Sequence, residues 1–196
     1  MLYYLLQFFT SNSHLLNITK YITLRAMLSF LTALIVCLVF TPWFIRKLKI
    51  KQLGQMVRDD GPQTHLKNTG TPTMGGCLII FAILCSAILW GSLNNPLLWA
   101  SLCVFIAYFF LGFIDDYKKI IYKNSKGVSA KTKFTIQWLV ALSVCGFCYY
   151  NGYVNSVINI PFFKNISFDL GGFYVVFSAF IIVATCNAVN LTDGLD

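Results

Sequence analysis

Two acidic clusters lie at the ends of long, uncharged apolar stretches of this chain. The first is Asp115-Asp116, which directly follows Phe113-Ile114, and the second is the segment Asn190-Leu191-Thr192-Asp193-Gly194-Leu195-Asp196. Together they hold four of the seven acidic residues, all of which are Asp. A carboxylate beside an apolar segment is costly to desolvate, so it usually has a cation, a proton or a substrate as its partner. A single Asp more often only marks where a helix leaves a membrane, but a pair together with a D-x-x-D spacing favours a functional site.

The residues around the clusters indicate phosphate chemistry. Adjacent helical positions point about 100° apart, so Asp115 and Asp116 are predicted to divide their roles, one toward a metal and one toward a proton. Asp193 and Asp196 can share one face if the helix continues that far. Oxygen ligands suit Mg²⁺ and lysine neutralises phosphate, so the pattern predicts Mg²⁺-assisted handling of phosphates at a membrane surface. The lysines concerned follow the first pair and are Lys118, Lys119, Lys131 and Lys133.

The segment 57–76 is a third polar region. Gly61-Pro62 and Thr71-Pro72-Thr73 impose turns, and Gly75-Gly76 lets a backbone or a ligand approach closely. His65 and Lys67 add a titratable group and a cation. Alone, such a loop is as often a rigid connector as a site. Beside the acidic clusters it is predicted to form one wall of a polar pocket.

The composition is that of an integral membrane protein. The chain is 57% hydrophobic and 11% charged with a mean hydropathy of +0.69, whereas soluble domains are about 25% charged. A spanning helix needs about 20 apolar residues, and Gly91 to Pro96 forms a natural break in the longest apolar run. The pattern predicts an all-α fold, a polytopic transmembrane helix bundle that forms a single membrane domain over 1–196. Its five helices are expected near 26–45, 74–90, 97–114, 134–150 and 173–191.

The basic residues predict an orientation. Segments 46–73 and 115–133 hold twelve of the fifteen Lys and Arg residues, whereas 91–96 holds none and 151–172 holds only Lys164. The positive-inside rule then places both lysine-rich loops in the cytoplasm and the N-terminus outside, with both acidic clusters at the cytoplasmic face. The surplus charge is assigned to the lipid bilayer or an anionic substrate. No pattern for nucleic-acid binding is present.

Two further features receive plain structural interpretations. All seven cysteines lie in apolar segments, so the C-x-x-C spacing of Cys145 and Cys148 is interpreted as small buried hydrophobes. The apolar run from Leu2 to Phe9 is too short to span a bilayer and is interpreted as an interfacial segment.

Four motifs in order along the chain resemble the phospho-N-acetylmuramoyl-pentapeptide transferases, a family of the polyprenyl-phosphate glycosyl-1-phosphate transferase superfamily. They are G-T-P-T-M-G-G (70–76), G-F-I-D-D-Y (112–117), P-F-F-K (161–164) and N-A-V-N-L-T-D-G-L-D (187–196). The resemblance implies Mg²⁺-dependent transfer of phospho-N-acetylmuramoyl-pentapeptide from UDP to undecaprenyl phosphate, with release of UMP. It also implies a bacterial inner-membrane location and a role in peptidoglycan synthesis, and it leaves a homodimer open.

The same resemblance implies roles for individual residues. Asp115 and Asp116 correspond to the active-site aspartate pair, as base and metal ligand, without deciding which is which. A third Asp ligand of the family has no counterpart in this chain. The substrate-binding positions implied are His65, Lys67, Lys119, Lys133, Asn187, Asn190, Asp193 and Asp196. Whether the reaction is a single displacement or proceeds through a covalent aspartyl intermediate stays open.

Two departures from the family pattern qualify these expectations. The family usually has Lys at the position of Asn68, so Lys67 is expected to take that role with a shifted reach. The family also continues for about as many residues again beyond Asp196. The chain is therefore expected to be a C-terminally truncated form that inserts in membranes but is inactive alone.

Other functions remain open at this stage. One is transfer of N-acetylglucosamine-1-phosphate, or another sugar phosphate, to a polyprenyl phosphate with the same aspartate pair and metal. Another is a cation-coupled transporter or channel, although transporter sites lie nearer the bilayer midplane. A third is an inactive truncated copy.

Overall fold

The computed structural model describes residues 1–9, 18–50, 74–122, 127–160, 162 and 166–193, and within these the chain is predominantly helical. The short helix α1 (Leu2–Phe9) precedes five longer ones, and a small antiparallel hairpin lies between the last two. The bounds are α2 Ile22–Ile50, α3 Gly76–Trp90, α4 Pro96–Ile121, α5 Ala130–Tyr150, β1 Val157–Asn159, β2 Ser167–Asp169 and α6 Phe173–Asp193. The predicted helical membrane fold is confirmed.

Three of these helices are long and apolar enough to cross a membrane, namely α2, α4 and α6. Helix α3 is equally apolar but has 15 residues, fewer than the roughly 20 that a span needs. Helix α5 has 21 residues, but Lys131, Lys133 and Gln137 lie in its first two turns. Length and composition thus support three of the five predicted spans directly.

The chain divides into two compact units, 1–98 with 109–128 and 99–108 with 129–196. In the first unit, α2 packs against α3, and α1 also contacts α3. The Trp90 indole N–H, in the last turn of α3, donates to the Thr32 hydroxyl, in the third turn of α2, at 3.0 Å. This contact joins the last turn of α3 to the N-terminal half of α2. The single-domain prediction stays a prediction.

In the second unit, α5 packs against α6 around small side chains. The core consists of Ala141, Ala179 and Val183, with Trp138 and Leu142 packed against it. Small residues let membrane helices approach closely, which is the usual basis of helix pairing in lipid. The hairpin connects the end of α5 to the beginning of α6, so these two helices run antiparallel.

Helix α4 differs from the predicted helix in where it ends. It begins at the Asn95 N-cap, whose side chain accepts from the Leu97 N–H at 2.9 Å. It was predicted to end near 114, but it continues to Ile121. An acid four residues before a base stabilises a helix, and Asp115 and Lys119 form such a pair. The aspartate pair therefore lies inside the helix and not beyond its end.

Candidate active site

Asp115 lies in the first unit and is buried. Only 5% of its surface is exposed. Its Oδ2 atom is 2.7 Å from the Lys119 ammonium, and its Oδ1 atom accepts the Val128 backbone N–H, also at 2.7 Å. Charge-assisted hydrogen bonds are what make a buried carboxylate tolerable. Asp115 thus ties the last turns of α4 to the segment that leads into α5.

Gly127 makes this contact possible. Its φ angle is +22°, in a region that side chains rarely adopt. A Cβ atom at this position would collide with Asp115 Oδ1, and it would lie 2.9 Å from Asp115 Cγ and 3.0 Å from Lys119 Cε. The absence of a side chain therefore lets the Val128 N–H reach the buried carboxylate. The sequence reasoning missed Gly127, and its only signal was a glycine at the end of a lysine-rich loop.

Asp116 has a different environment from its neighbour. Its side chain is 41% exposed, against 8% for that of Asp115. The Lys119 ammonium is 3.6 Å from Asp116 Oδ1, a looser contact than the 2.7 Å to Asp115. One lysine thus lies between both carboxylates but is bound closely to only one of them. Asp116 is the accessible member of the pair.

The described part of the G-T-P-T-M-G-G motif, from Met74 on, leads into α3. The Cys77 thiol, in the first turn of α3, is within electrostatic range of the Asp116 carboxylate. Among the described residues, nothing lies within 4 Å of a Cβ atom built at Gly75 or Gly76. The end of the G-T-P-T-M-G-G motif and the accessible carboxylate thus both belong to the first unit.

The second unit contains a separate polar cluster between α5 and α6. The Asn187 amide donates to Gln137 Oε1 and to the Val183 carbonyl, both at 2.8 Å. Gln137 is buried, and the Tyr108 hydroxyl donates to its backbone carbonyl at 2.9 Å. Asn187, predicted as a substrate-binding residue, thus bonds to the neighbouring helix. Gln137 was missed, although an amide within an apolar run is itself a signal.

The register of α5 and α6 brings further predicted residues to one end of the second unit. Gln137 faces Asn187, and one turn toward this end lie Lys133 on α5 and Asn190 on α6. Lys133 is half-buried and Asn190 is exposed. Asp193 belongs to the last turn of α6. His65, Lys67 and Asp196 lie outside the described residues, as do Thr71 and Thr73.

A bound Mg²⁺ ion needs oxygen ligands in a near-octahedral arrangement. Among the described residues, no group of three His, Cys, Asp or Glu side chains could hold a metal ion. Mg²⁺, however, commonly binds through one or two carboxylates together with substrate phosphates and water. Asp116 fits that pattern as an exposed oxygen ligand. Both oxygens of Asp115 already have close donors, so Asp115 fits less well.

These features define a class, namely a multi-pass helical membrane protein with a carboxylate pair and a lysine near the end of one helix. The chain belongs to glycosyl transferase family 4, and the match covers residues 98–196, which include both acidic clusters. Along all 196 residues it is 47% identical to a phospho-N-acetylmuramoyl-pentapeptide-transferase of Syntrophus aciditrophicus. It is 43% and 44% identical to proteins of the same name from Citrifermentans bemidjiense and Desulfosudis oleivorans. The resemblance in the motifs is thereby confirmed.

The matches cover all of this chain but 55% of each relative. The chain thus spans about half the length of the curated relatives it matches.

Proposed function

We propose that this chain is part of a transferase that moves phospho-N-acetylmuramoyl-pentapeptide from UDP to undecaprenyl phosphate and releases UMP. The names of the similar proteins support this reaction, and so does the family match over both acidic clusters. The acceptor is a membrane lipid with a phosphate headgroup. A carboxylate pair and lysines at the end of a membrane helix suit chemistry on such a headgroup.

The observation that carries the proposal is the unequal environment of Asp115 and Asp116. In the proposed reaction, Asp116 is the carboxylate that meets substrate or metal, because 41% of its side chain is exposed. Asp115 holds Lys119 and the Val128 N–H, and so it fixes the end of α4. The two aspartates would then divide their roles, although not between metal and proton as the sequence predicted, because Asp115 would be the positioning residue.

Lys119 is proposed to respond to the incoming phosphate. Its ammonium is 38% exposed and lies between the two carboxylates. A phosphate group that binds beside Asp116 would add negative charge there. The Lys119 ammonium could then interact with this phosphate while it keeps its contact with Asp115. Mg²⁺, when bound, would neutralise phosphate charge in the same place. Asp116 would hold it, because that carboxylate is accessible.

The donor nucleotide sugar is proposed to bind the end of the second unit that carries Lys133, Asn190 and Asp193. A half-buried lysine at the same end of the unit as the exposed Asn190 suits a diphosphate. Asn187 bonds to Gln137 and to the Val183 carbonyl, so its proposed contribution is to hold the two helices in register. Lys67, His65 and Asp196 remain proposed substrate-binding residues from the motif resemblance alone.

We also propose the location and orientation of the chain. It is a multi-pass membrane protein, and we place it in the bacterial inner membrane with both lysine-rich loops in the cytoplasm. Tyr122→Cys and Asn159→Cys test this, because both positions are exposed and lie on loops predicted to face opposite sides. A membrane-impermeant maleimide added to intact cells should label only Asn159→Cys above the wild-type background. Labelling of Tyr122→Cys alone would reverse the orientation.

A second candidate is transfer of another N-acetylhexosamine phosphate, because the family match is broader than any single donor. The full-length membrane protein should be incubated with undecaprenyl phosphate and Mg²⁺, and with either UDP-N-acetylmuramoyl-pentapeptide or UDP-N-acetylglucosamine, while UMP is measured. We expect UMP from the pentapeptide donor only. Equal or faster release from UDP-N-acetylglucosamine would favour the second candidate, and release from neither donor would contradict both.

A further inference from the structure

The hairpin between α5 and α6 has two chemically different faces. Side chains alternate across a strand, and residues paired across two strands share a face. The strand pairing joins Ile158 to Phe168, and a hydrogen bond of 3.2 Å from the Ile160 N–H to the Ile166 carbonyl extends the ladder by one pair. One face, the apolar hairpin face, thus consists of Ile158, Ile160, Ile166 and Phe168. The other carries Val157, Asn159, Ser167 and Asp169.

The apolar hairpin face has little protein cover. Ile160, Ile166 and Phe168 are 37%, 42% and 56% exposed. Within the described parts of the chain, the two strands pair with each other and neither packs against a helix. An isolated two-stranded hairpin is only marginally stable in water. A hairpin with four large apolar side chains on one face would therefore not be stable with that face in water.

The opposite face, the polar hairpin face of Val157, Asn159, Ser167 and Asp169, is suited to water. The Ser156 hydroxyl and then the Gly171 N–H bond to the Asp169 carboxylate, and they hold its pKa below the usual range. Asp169 therefore keeps its negative charge at neutral pH. Asn159 and Ser167 lie beside it on the same face, and both are exposed.

The connections hold the hairpin close to the ends of the two helices. Only residues 170–172 separate β2 from α6, and a chain of three residues reaches at most about 10 Å. Helix α6 is one of the candidate membrane spans. Exposed aromatic residues flank the hairpin at the helix ends, with Tyr150 at 90% and Phe173 at 61% exposure. Aromatic side chains concentrate where membrane meets water.

We propose that the hairpin lies flat in the membrane–water interface, with the apolar hairpin face in contact with lipid and the opposite face in water. Its partner is the lipid at the boundary of headgroups and acyl chains, which already surrounds α6. Continuity with the membrane surface of this helix selects lipid over a protein partner. The hairpin would then fix the depth at which α5 and α6 sit.

Photocrosslinking at neighbouring positions tests the proposal without any enzyme assay, so it can fail independently of the proposed function. Benzoylphenylalanine is introduced by amber suppression at Phe168 on the apolar hairpin face or, as the matched control, at Ser167 on the opposite face. Position 180 on α6, a candidate membrane span, serves as the reference, because Phe180 is 56% exposed there. The full-length protein is irradiated in native membranes, and lipid adducts are measured by mass spectrometry.

We expect the lipid adduct yield at position 168 to approach that at position 180 and to exceed that at position 167 several-fold. Equal yields at 167 and 168 would overturn the proposal, because the faces would not be distinguished. An adduct to protein at 168 would overturn it in favour of a protein cover. If either variant fails to accumulate, Ile166 and Asn159 provide a second pair on the same two faces, with the same expected difference.

Discussion

Each unit of this protein buries a polar side chain that bonds to a group outside its own turn of helix, Asp115 in the first and Gln137 in the second, and the two are satisfied in different ways. In the first unit, Asp115 carries a charge and is held by Lys119, four residues along its own helix, and by the Val128 N–H in the following segment. In the second unit, Gln137 is neutral and bonds to Asn187 on another helix. The charged group organises a helix end and a turn, whereas the neutral group sets the register of two helices.

The difference follows from the cost of burial. An ionised carboxylate in an apolar environment costs far more to leave unpaired than an amide does, so it needs a cation and a strong donor close by. Asp115 has both, and they come from within thirteen residues of it. An amide can rely on a partner on another helix, because an amide that loses its partner costs less free energy than an unpaired carboxylate. Substitutions around Asp115 should therefore have larger effects than those around Gln137.

The largest expected effect is on catalysis and comes from the accessible neighbour of the charged group. Asp116→Asn in the full-length protein should lower the rate of UMP release by about 10²–10⁴-fold, because it removes the carboxylate that is proposed to meet the substrate or the metal. The thermal unfolding temperature in detergent should stay near that of the wild type, because Asp116 is exposed and only loosely paired with Lys119.

Asp169→Asn is the control for this substitution. Asp169 is a carboxylate of the hairpin and takes no part in the proposed site, so its amide variant should keep the wild-type rate of UMP release. A near-normal rate in Asp116→Asn would remove Asp116 from the catalytic machinery and leave it as a helix-end residue.

The next largest effect should be on stability. Asp115→Ala leaves the Val128 N–H without its acceptor and Lys119 without its close partner. An unsatisfied buried group costs about 1–3 kcal/mol, and Lys119 adds little because its ammonium can be rehydrated. Thermal unfolding and hydrogen exchange of the Val128 amide measure this. If Asp115→Ala unfolded at the wild-type temperature with a slowly exchanging Val128 amide, the positioning role of Asp115 would be wrong.

Asp115→Asn separates the two bonds of the carboxylate. The amide keeps an oxygen for the Val128 N–H, but it cannot pair with the Lys119 ammonium. We therefore expect a stability between those of the wild type and Asp115→Ala. The same substitution at Asp116 should affect rate and not stability, which makes the two amide variants a direct test of the proposed division of roles.

Much of this arrangement could be predicted from the sequence, and the remainder depends on contacts that local patterns do not encode. The apolar runs predicted the helices, and the 100° step between neighbouring helical residues predicted that Asp115 and Asp116 would not share one face. Helix α4 continues past position 114 because the Asp115–Lys119 pair stabilises its last turns, and the apolar pattern does not show such a contribution. The hairpin was missed because its strands are only three residues long and one face of each is polar.

Gly127 and Gln137 were missed for a common reason. Each acts through a contact with a side chain or backbone group from another part of the chain, and such contacts leave no periodic signal. Of the predicted site residues, Asp115, Asp116 and Lys119 come together in the first unit, and Lys133, Asn187 and Asn190 occupy one end of the second.

A smaller effect on stability should come from Gly127→Ala. The new Cβ would collide with the Asp115 carboxylate and would also occupy a positive φ angle. Such a backbone conformation costs a side chain about 1–2 kcal/mol. Gly171→Ala is the matched control, since its φ of +49° imposes similar strain while, among the described residues, its Cβ would meet nothing within 4 Å. Faster hydrogen exchange of the Val128 amide is expected in Gly127→Ala only. The same exchange rate in both variants would mean that backbone strain alone explains the effect.

The smallest effect should come from the neutral pair of the second unit. The coupling energy between Gln137→Leu and Asn187→Leu, measured by a double-mutant cycle on unfolding in detergent, should be about 0.6 kcal/mol, the average for hydrogen bonds between membrane helices. It should be small because Asn187 keeps its bond to the Val183 carbonyl and the Tyr108 hydroxyl keeps its bond to the residue 137 backbone.

Thr185→Val provides the control, since the Thr185 hydroxyl bonds within α6, to Ile181, and its coupling to Gln137→Leu should be near zero. A coupling of several kcal/mol would show that the neutral pair is as critical as the charged one and would break the comparison. If Asn187→Leu abolished UMP release while Gln137→Leu left it intact, Asn187 would contact the substrate directly and its role would not be confined to helix register.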